Sequence, residues 1–398
     1  MQATGIIAEY NPFHNGHLYH IRQAKKILQQ PVIVAMSGSF MQRGEPAILS
    51  KWQRAALAVG CGADLVLELP CAFTLRSAEH FAQGGVSLLA STGIVNALCC
   101  GVENADTDFL SLARLANSSA AQEKLQTLLR QGTSYAAAWA QIFAEQQQKH
   151  AKPLSSPNDI LALSYAKAIV KNNYTLTPLF VERQDAGYNS TAITGELASA
   201  TAIRQALRER NASWQNAVPP AVRALLTRAG YNETLLWQLI RYRLRILSNA
   251  EIAEHSECSE GLENRLKQAA DAKTLAEAVA AASNKRYTAS RIRRLLLQLL
   301  LDAPRVSWQQ QNVAYLRVLA FNDTGRQLLK QMKKNAKLPI ITKLGRNWQY
   351  DEKLSDAAKT QLELEIKATD IWSLLQADDA FNRQSNDFLL SPNYINNN

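Results

Sequence analysis

Three of the chain's six histidines fall within the segment EYNPFHNGHLYH, Glu9 to His20, at His14, His17 and His20. Imidazoles at this density can ligate a metal, pack on a helix face, or donate hydrogen bonds to phosphate. Spacing of i, i+3, i+6 does not keep three ligands on one helical face, and Asn15-Gly16 interrupts a helix, so a metal triad is disfavoured. His14-Asn15-Gly16-His17 reads instead as a pair of donors around a glycine. In-line attack on the α-phosphorus of ATP builds negative charge on the phosphate oxygens, and two imidazoles can stabilise it without acting as nucleophiles. Gly16 leaves no side chain where backbone must approach the nucleotide. His20 falls one turn further on and is the doubtful member.

Such donors need a rigid strand-to-helix turn, and the flanking pattern supplies one. Apolar, β-branched runs at 4–10, 31–37, 63–69, 94–103 and 176–183 alternate with helical patterns at 17–29, 50–60, 77–92, 107–149 in pieces, and 157–172. Five buried strands separated by helices predict a Rossmann-like, doubly wound parallel sheet. Ligands in such sheets sit outside the carboxyl ends of the strands. Those ends are Asn11 to His17, Ser37 to Arg43, Glu68 to Cys71, Gly101 to Glu103, and Arg183 to Asp185. A first helix starting at the H-x-G-H would aim its free N–H groups and positive end at the phosphates. Ser37, Gln42 and Arg43, in SGSFMQRGEPA, follow the second strand without an assignable role.

Beyond about residue 215 the strand signals stop. Pro219-Pro220 marks a break, and helices are expected at 231–246, 260–270, 274–283, 288–302, 308–319 and 323–335. The expected domains are therefore an ATP-binding catalytic unit over 1–215 and a mainly helical, basic unit over 216–398. The net charge is +10, and residues 284–346 alone hold 14 Lys/Arg against 2 Asp/Glu, a surplus of 12. A local surplus of this size points to a polyanion, with Lys285, Arg286, Arg291, Arg293, Arg294, Lys330, Lys333, Lys334 and Lys337 as candidate contacts. An aromatic, Tyr287, lies among the arginines, as RNA-binding surfaces use. The five cysteines form no C-x-x-C pair, which argues against a disulfide framework or a thiolate zinc site and fits a reducing cytoplasm. No apolar run approaches 18 residues and the first residues lack a signal-peptide pattern, so neither membrane association nor export is expected. No protein partner is predicted.

Two signatures place this pattern in a known group. The H-x-G-H after strand one resembles that of the nucleotidylyltransferase superfamily. ASATAIR (198–204) resembles the superfamily's second signature, I-S-S-T-x-I-R, through Ser199, Thr201, Ile203 and Arg204, with Ala198 and Ala200 departing from it. Hydroxyls at a helix N-terminus with a cation one turn on suit the β/γ-phosphates and departing pyrophosphate. GIIAEYNPFHNGHLYH, SGSFMQRGEPA, SPNDILALSYAKA (156–168), SATAIR, KRYTASRIRR (285–294) and KLPIITK (337–343), in this order, resemble the bacterial tRNA(Met) cytidine acetate ligase family.

That resemblance implies ATP-dependent activation of acetate as acetyl-adenylate, Mg2+ accompanying ATP, and acetyl transfer to the wobble cytidine of elongator tRNA(Met), giving N4-acetylcytidine. It implies ATP contacts at Ile7, Ala8, Glu9, Tyr10, Asn11, Pro12, Phe13, His14, Asn15, Gly16, His17, Leu18, Tyr19 and His20, and at Gly101, Asn158 and Arg183. The sequence Cys99-Cys100 before Gly101 departs from the bulkier or hydroxylated residues usual there. His14 and His17 are the catalytic pair; no base for the transfer step stands out. Two other readings share these motifs: adenylyl transfer to a small phosphorylated metabolite, and a non-catalytic RNA-binding protein on a nucleotide fold. The basic half argues against the first, and the intact motifs argue against the second.

Overall fold

The β-branched runs form strands, and their side chains alternate between two cores as the two-residue strand period requires. In the computed structural model, Ile33 and Ala35 face one core and Val32, Val34 and Met36 the other. The structure describes residues 1–396 apart from 134, 147–155, 184–192, 194, 256, 259–260, 285, 304 and 377–380. The first part of the chain alternates as expected: β1 (Ala3–Ala8), α1 (Asn15–Leu28), β2 (Val32–Ser37), α2 (Lys51–Gly60), β3 (Leu65–Leu69), α3 (Ala78–Ser91), β4 (Val95–Val102), α4 (Pro157–Lys171), β5 (Thr177–Glu182) and α5 (Ala200–Arg208). Phe40–Met41 and Glu45–Pro46 form a small hairpin beside the sheet, and three shorter helices stand between β4 and α4. The second part is mostly helical and includes α6 (Ala289–Leu301), but it also returns to the sheet. It carries β6 (Leu316–Phe321), α7 (Asp323–Asn335), β7 (Ile340–Ile341), α8 (Asp356–Leu374) and β8 (Asn393–Tyr394).

The strand order is β8-β6-β3-β2-β1-β4-β5, with β7 also on β6. The five strands β3-β2-β1-β4-β5 are parallel, and the order reverses between β1 and β4. That reversal opens a crevice at their carboxyl ends. The helices divide between the faces. Ile21 and Ala24 of α1, Trp52 and Ala55 of α2, and Ile203 and Ala206 of α5 fill one core. Phe81 and Val86 of α3, Tyr165 and Ile169 of α4, and the leucines of α6 fill the other.

One expectation fails. The helix expected over 308–319 ends as strand β6, which pairs antiparallel with β3, Glu68 opposite Arg317 and Leu65 opposite Phe321. Strand content therefore does not stop at 215. Leucine and alanine allow a helix locally, but the open edge of β3 supplies backbone partners that override the local preference. In α6 the run Leu295–Leu301 is buried throughout, each leucine contributing about 1.5–3 kcal/mol. Its one polar member, Gln298, donates to the Leu75 carbonyl at 2.7 Å. Among the described residues no helix is long and apolar enough to cross a membrane.

The antiparallel edge is fastened by a buried ionic cluster. Lys51 of α2 reaches Glu68 of β3 at 2.5 Å, Asp387 at 2.8 Å and Glu365 of α8 at 3.4 Å. Arg317 of β6 reaches Asp387 at 2.5 Å and Glu68 at 3.4 Å. Burial, then the Glu68 charge, pushes the Glu365 carboxyl up to about 8. Removing one partner from such a cluster strands the others in a low dielectric. Lys51→Met is expected to destabilise the fold by about 3–5 kcal/mol, read as a lower urea midpoint with the slope preserved.

Candidate active site at the carboxyl ends of the strands

The turn from β1 into α1 is built by its own histidines. His14 is the N-cap of α1, and its Nδ1 accepts from the Gly16 N–H at 3.1 Å. His17 Nδ1 accepts in return from the His14 N–H at 3.3 Å. This is a capping box made of imidazoles. It also settles the tautomers. A nitrogen that accepts a backbone N–H carries no proton, so each neutral ring bears its proton on Nε2. The two rings stack with centroids 3.7 Å apart. Tyr10 and Phe13 flank His17 at 4.8 and 5.6 Å and fix its orientation. Burial, then the neighbouring His14 ring, holds His17 well below the ordinary imidazole range, so at neutral pH it is an uncharged donor.

A cleft of about 860 Å³ opens here. Of the residues implicated from sequence, it is lined by Ile7, Ala8, Glu9, Tyr10, Asn11, His14, Gly16, His17, Tyr19, His20, Gly101, Asn158, Arg183, Ser199, Thr201 and Arg204. Pro12, Phe13, Asn15 and Leu18 do not line it. Phe13 is fully buried beneath the turn. Asn15 donates to the Glu196 and Asn216 carbonyls, each at 2.8 Å, tying α1 to the segments on either side of α5. Ser199 caps α5 by accepting from the Ala202 N–H. Arg204 is buried, donating to the Asn11 carbonyl at 2.7 Å and pairing with Glu45 at 3.0 Å.

At the β4–β5 end, Glu103 organises three of the implicated residues. Its Oε1 accepts from Asn158 at 2.7 Å and lies 3.6 Å from Arg183 Nε, and the Arg183 side chain lies directly over Gly101, where a Cβ would meet its Cγ at 3.4 Å. Glu9 occupies the cleft floor. Its Oε1 accepts from the Gln42 N–H at 2.7 Å and the Ser37 hydroxyl at 3.2 Å. Burial pushes its carboxyl up against the pull of these bonds. Ser37 and Gln42 thus hold Glu9, while Arg43 lines the cleft.

The histidine cap, the strand order and the two signature segments at one cleft agree with the comparisons. A family model described as HIGH Nucleotidyl Transferase matches residues 1–387. A Leuconostoc mesenteroides protein named tRNA(Met) cytidine acetate ligase is 38% identical over 394 residues, covering 96% of each chain. One of the same name from Alkaliphilus metalliredigens is 36% identical, covering 99% of each. The chain belongs to the tRNA(Met) cytidine acetate ligase family. The crystal structure of Thermotoga maritima TmcAL bound with alpha-thio ATP covers 100% of both chains, with a TM-score of 0.91 at 30% identity.

In this family member the basic window divides. Arg294 of α6 lines the cleft and is 7% exposed. Arg291 lies over the Tyr287 ring, 5.1 Å from its centroid, and Tyr287 is buried, so it offers no face to a base. Arg293 approaches Glu45 at 4.0 Å, and Arg286 is exposed. Lys285 lies outside the described residues. Lys330, Lys333, Lys334 and Lys337 are exposed, but on or just after α7. That helix starts beside Asp64 and ends against Ser91 and Gly93, the amino-end turns into β3 and β4. They lie at the opposite end of the sheet from the cleft.

Sequence reasoning missed Glu103, Glu45 and the start of α3, where Ser77 and Ala78 line the cleft wall. The sequence marks Glu103 only as a strand end and Glu45 only as part of SGSFMQRGEPA, with no role for either. His20 faces β4, its Nε2 3.2 Å from Cys99 Sγ. Burial pushes the Cys99 thiol up to about 12, so the thiol keeps its proton beside His20. Burial, then Arg183, lowers His20 to about 4. The unfolded chain protonates this imidazole near 6.5, the folded protein only near 4. Stability is therefore expected to fall as pH drops from about 6.5 to about 4, by up to about 3 kcal/mol from this residue. An NMR titration of His20 with a midpoint near 4, and a shallower pH–stability slope in His20→Gln, check this.

Proposed function

We propose that this chain activates acetate with ATP and transfers the acetyl group to the N4 amine of the wobble cytidine of elongator tRNA(Met). The observation that carries the reading is the imidazole capping box. It presents two Nε2–H donors at the N-terminus of α1, at the switch point of a doubly wound sheet. Support also comes from the names of the relatives and from the ATP analogue in the Thermotoga maritima structure.

In the first step a carboxylate oxygen of acetate attacks the α-phosphorus and pyrophosphate leaves, forming acetyl-adenylate. The donors at His14, His17 and the start of α1 meet charge that develops on the α-phosphate oxygens. Because His17 is held well below the ordinary imidazole range, it donates as an uncharged ring without protonating the leaving group. Ser199, Thr201 and the amino end of α5 suit the β/γ-phosphates. Gly101, Asn158 and Arg183 sit where the nucleoside would lie. In the second step cytidine N4 attacks the acetyl carbonyl, the mixed anhydride breaks, AMP leaves, and N4 gives up one proton. Holding the anhydride and the amine in one cleft supplies much of the rate.

Mg2+ would enter as a companion of ATP, whose triphosphate brings the anionic oxygens such a cation takes. The phosphates would supply its ligands. The expected domains, 1–215 for catalysis and 216–398 for tRNA, remain part of this proposal, with α6 reaching from the second into the cleft of the first.

His14→Ala and His17→Ala are each expected to lower acetate-dependent exchange of labelled pyrophosphate into ATP by about 10²–10³-fold. Wild-type protein with tRNA, ATP and labelled acetate should yield N4-acetylcytidine on nucleoside analysis. Exchange equal to wild type in His17→Ala would remove that residue's role.

A further inference from the structure

The α1 and α5 side of the cleft accounts for a triphosphate. The wall from the opposite face of the sheet carries a second concentration of positive potential that adenylation does not use. Two more helices begin there: Ser77 and Ala78 of α3, and Thr288 and Ser290 of α6, line the cleft. The Ser77 hydroxyl is bonded to His80 Nδ1 at 2.8 Å and makes no side-chain cap on α3.

Arg76, immediately before Ser77, and Arg294, which lines the cleft, are 8% and 7% exposed. They share one carboxylate. Glu257 lies 3.2 Å from Arg294 Nη2 and 3.9 Å from Arg76 Nε, and Arg291 Nε also approaches it at 3.9 Å. Arg76 and Arg294 therefore draw on a single carboxylate, which Arg291 also approaches. Arg294 Nε, and Nε and Nη1 of Arg76, are buried without a hydrogen-bond acceptor. Burial, then Arg76 itself, lowers His80, so that ring relieves nothing by titrating. Buried donors left in this state mark a site completed by an anion.

Resting on the acetylation reading above, we infer that Arg76, Arg294 and the starts of α3 and α6 form a second anion subsite. It holds an RNA phosphodiester next to the acceptor cytidine. Continuity selects RNA over acetate. The same helix start leads outward from Arg294 to Arg293 and the exposed Arg286, a track for a polyanion. Acetate has to stand against the α-phosphorus on the α1 side to react, and it carries a single charge. A phosphate gripped across the strand ends would position the flanking base over the cleft floor.

The test uses the full chain and transcribed tRNA(Met), with Arg76→Gln, Arg294→Gln and the charge-conserving Arg76→Lys and Arg294→Lys. The Gln variants are expected to raise the KM for tRNA at least tenfold. They should flatten the slope of log affinity against log salt by about 0.7–0.9, the loss of one phosphate contact. The Lys variants should recover most of that slope. In pyrophosphate exchange the KM for acetate should stay within twofold of wild type. A raised acetate KM with an unmoved tRNA KM would make this an acetate site and overturn the proposal. So would an unchanged salt slope, or equal losses in Gln and Lys variants with a lowered thermal midpoint, which would mark a packing role. If the wild-type chain shows no exchange at all, the adenylation reading fails. Filter binding of tRNA over the same salt series then still decides the subsite.

Discussion

Arg54, on α2, is fully buried, and its guanidinium is spent entirely on backbone. It donates to the Glu9 carbonyl at 2.7 Å, the Ser37 carbonyl at 3.0 Å and the Leu49 carbonyl at 3.2 Å, and also to the Gly38 carbonyl. Those carbonyls belong to the ends of β1 and β2 and to the loops leaving them. Strand ends at a crevice lack the next rung of the ladder, and an unpaired buried carbonyl costs as much as a lost hydrogen bond. One planar fork satisfies all four and fixes how the two strands diverge. Burial draws Arg54 down to about 10 against the pull of Glu9, Glu68 and Glu365, which still leaves it charged at neutral pH. The cleft floor is therefore rigid because a cation lies beneath it.

The same region connects the floor to the rest of the chain. Lys51 is three residues before Arg54 on the same helix and ties β3, α8 and Asp387 together, with β6 joined through Arg317. Gly38 is the contact point between the two networks: a Cβ there would collide with Glu365 Oε1 and stand 3.0 Å from Glu68 Oε1. The second half of the sequence is thus joined to the cleft floor by charge and hydrogen bonds as well as by apolar packing. α6 brings Arg294 to the cleft from the same half, donating to the Gln42 carbonyl at 3.4 Å. Gln42 in turn donates its backbone N–H to Glu9. A short path of hydrogen bonds runs from the basic helix to the carboxylate at the centre of the floor.

These dependencies mark the boundary of what the sequence made legible. The five parallel strands and their helices were readable because each carries its own period and its own breakers. The histidine pair was readable because capping is local: donor and acceptor lie within three residues. β6 was not, since its state is decided by an open strand edge about 250 residues earlier. α8, with buried Glu365 and Gln361 on its core face, does not show a clean apolar stripe, because those positions answer to Lys51 and to the Ala314 N–H. Arg76 and Glu257 have no motif, and their meaning comes only from three guanidinium groups sharing one carboxylate in space. Charge counting found a basic window but could not divide it, because a surplus along sequence says nothing about which end of a sheet each residue reaches.

That division changes how a polyanion can meet the protein. Arg286, Arg293 and Arg294 belong to the cleft end, while Lys333, Lys334 and Lys337 belong to the amino end, about one strand length or roughly 20 Å away. A phosphate backbone advances about 6–7 Å per nucleotide when extended, so one single-stranded segment of three or four residues would have to pass around the edge of the sheet to touch both. A folded RNA, whose helix is about 20 Å across, can instead place one strand at the cleft and another region of the molecule against the lysines. In the proposed RNA complex, residues of the second kind would add counterion release without sequence information, whereas those of the first kind would set where the base falls. On that proposal, positive charge contiguous in sequence would divide between orientation and affinity, because the fold sends α6 to one end of the sheet and α7 to the other.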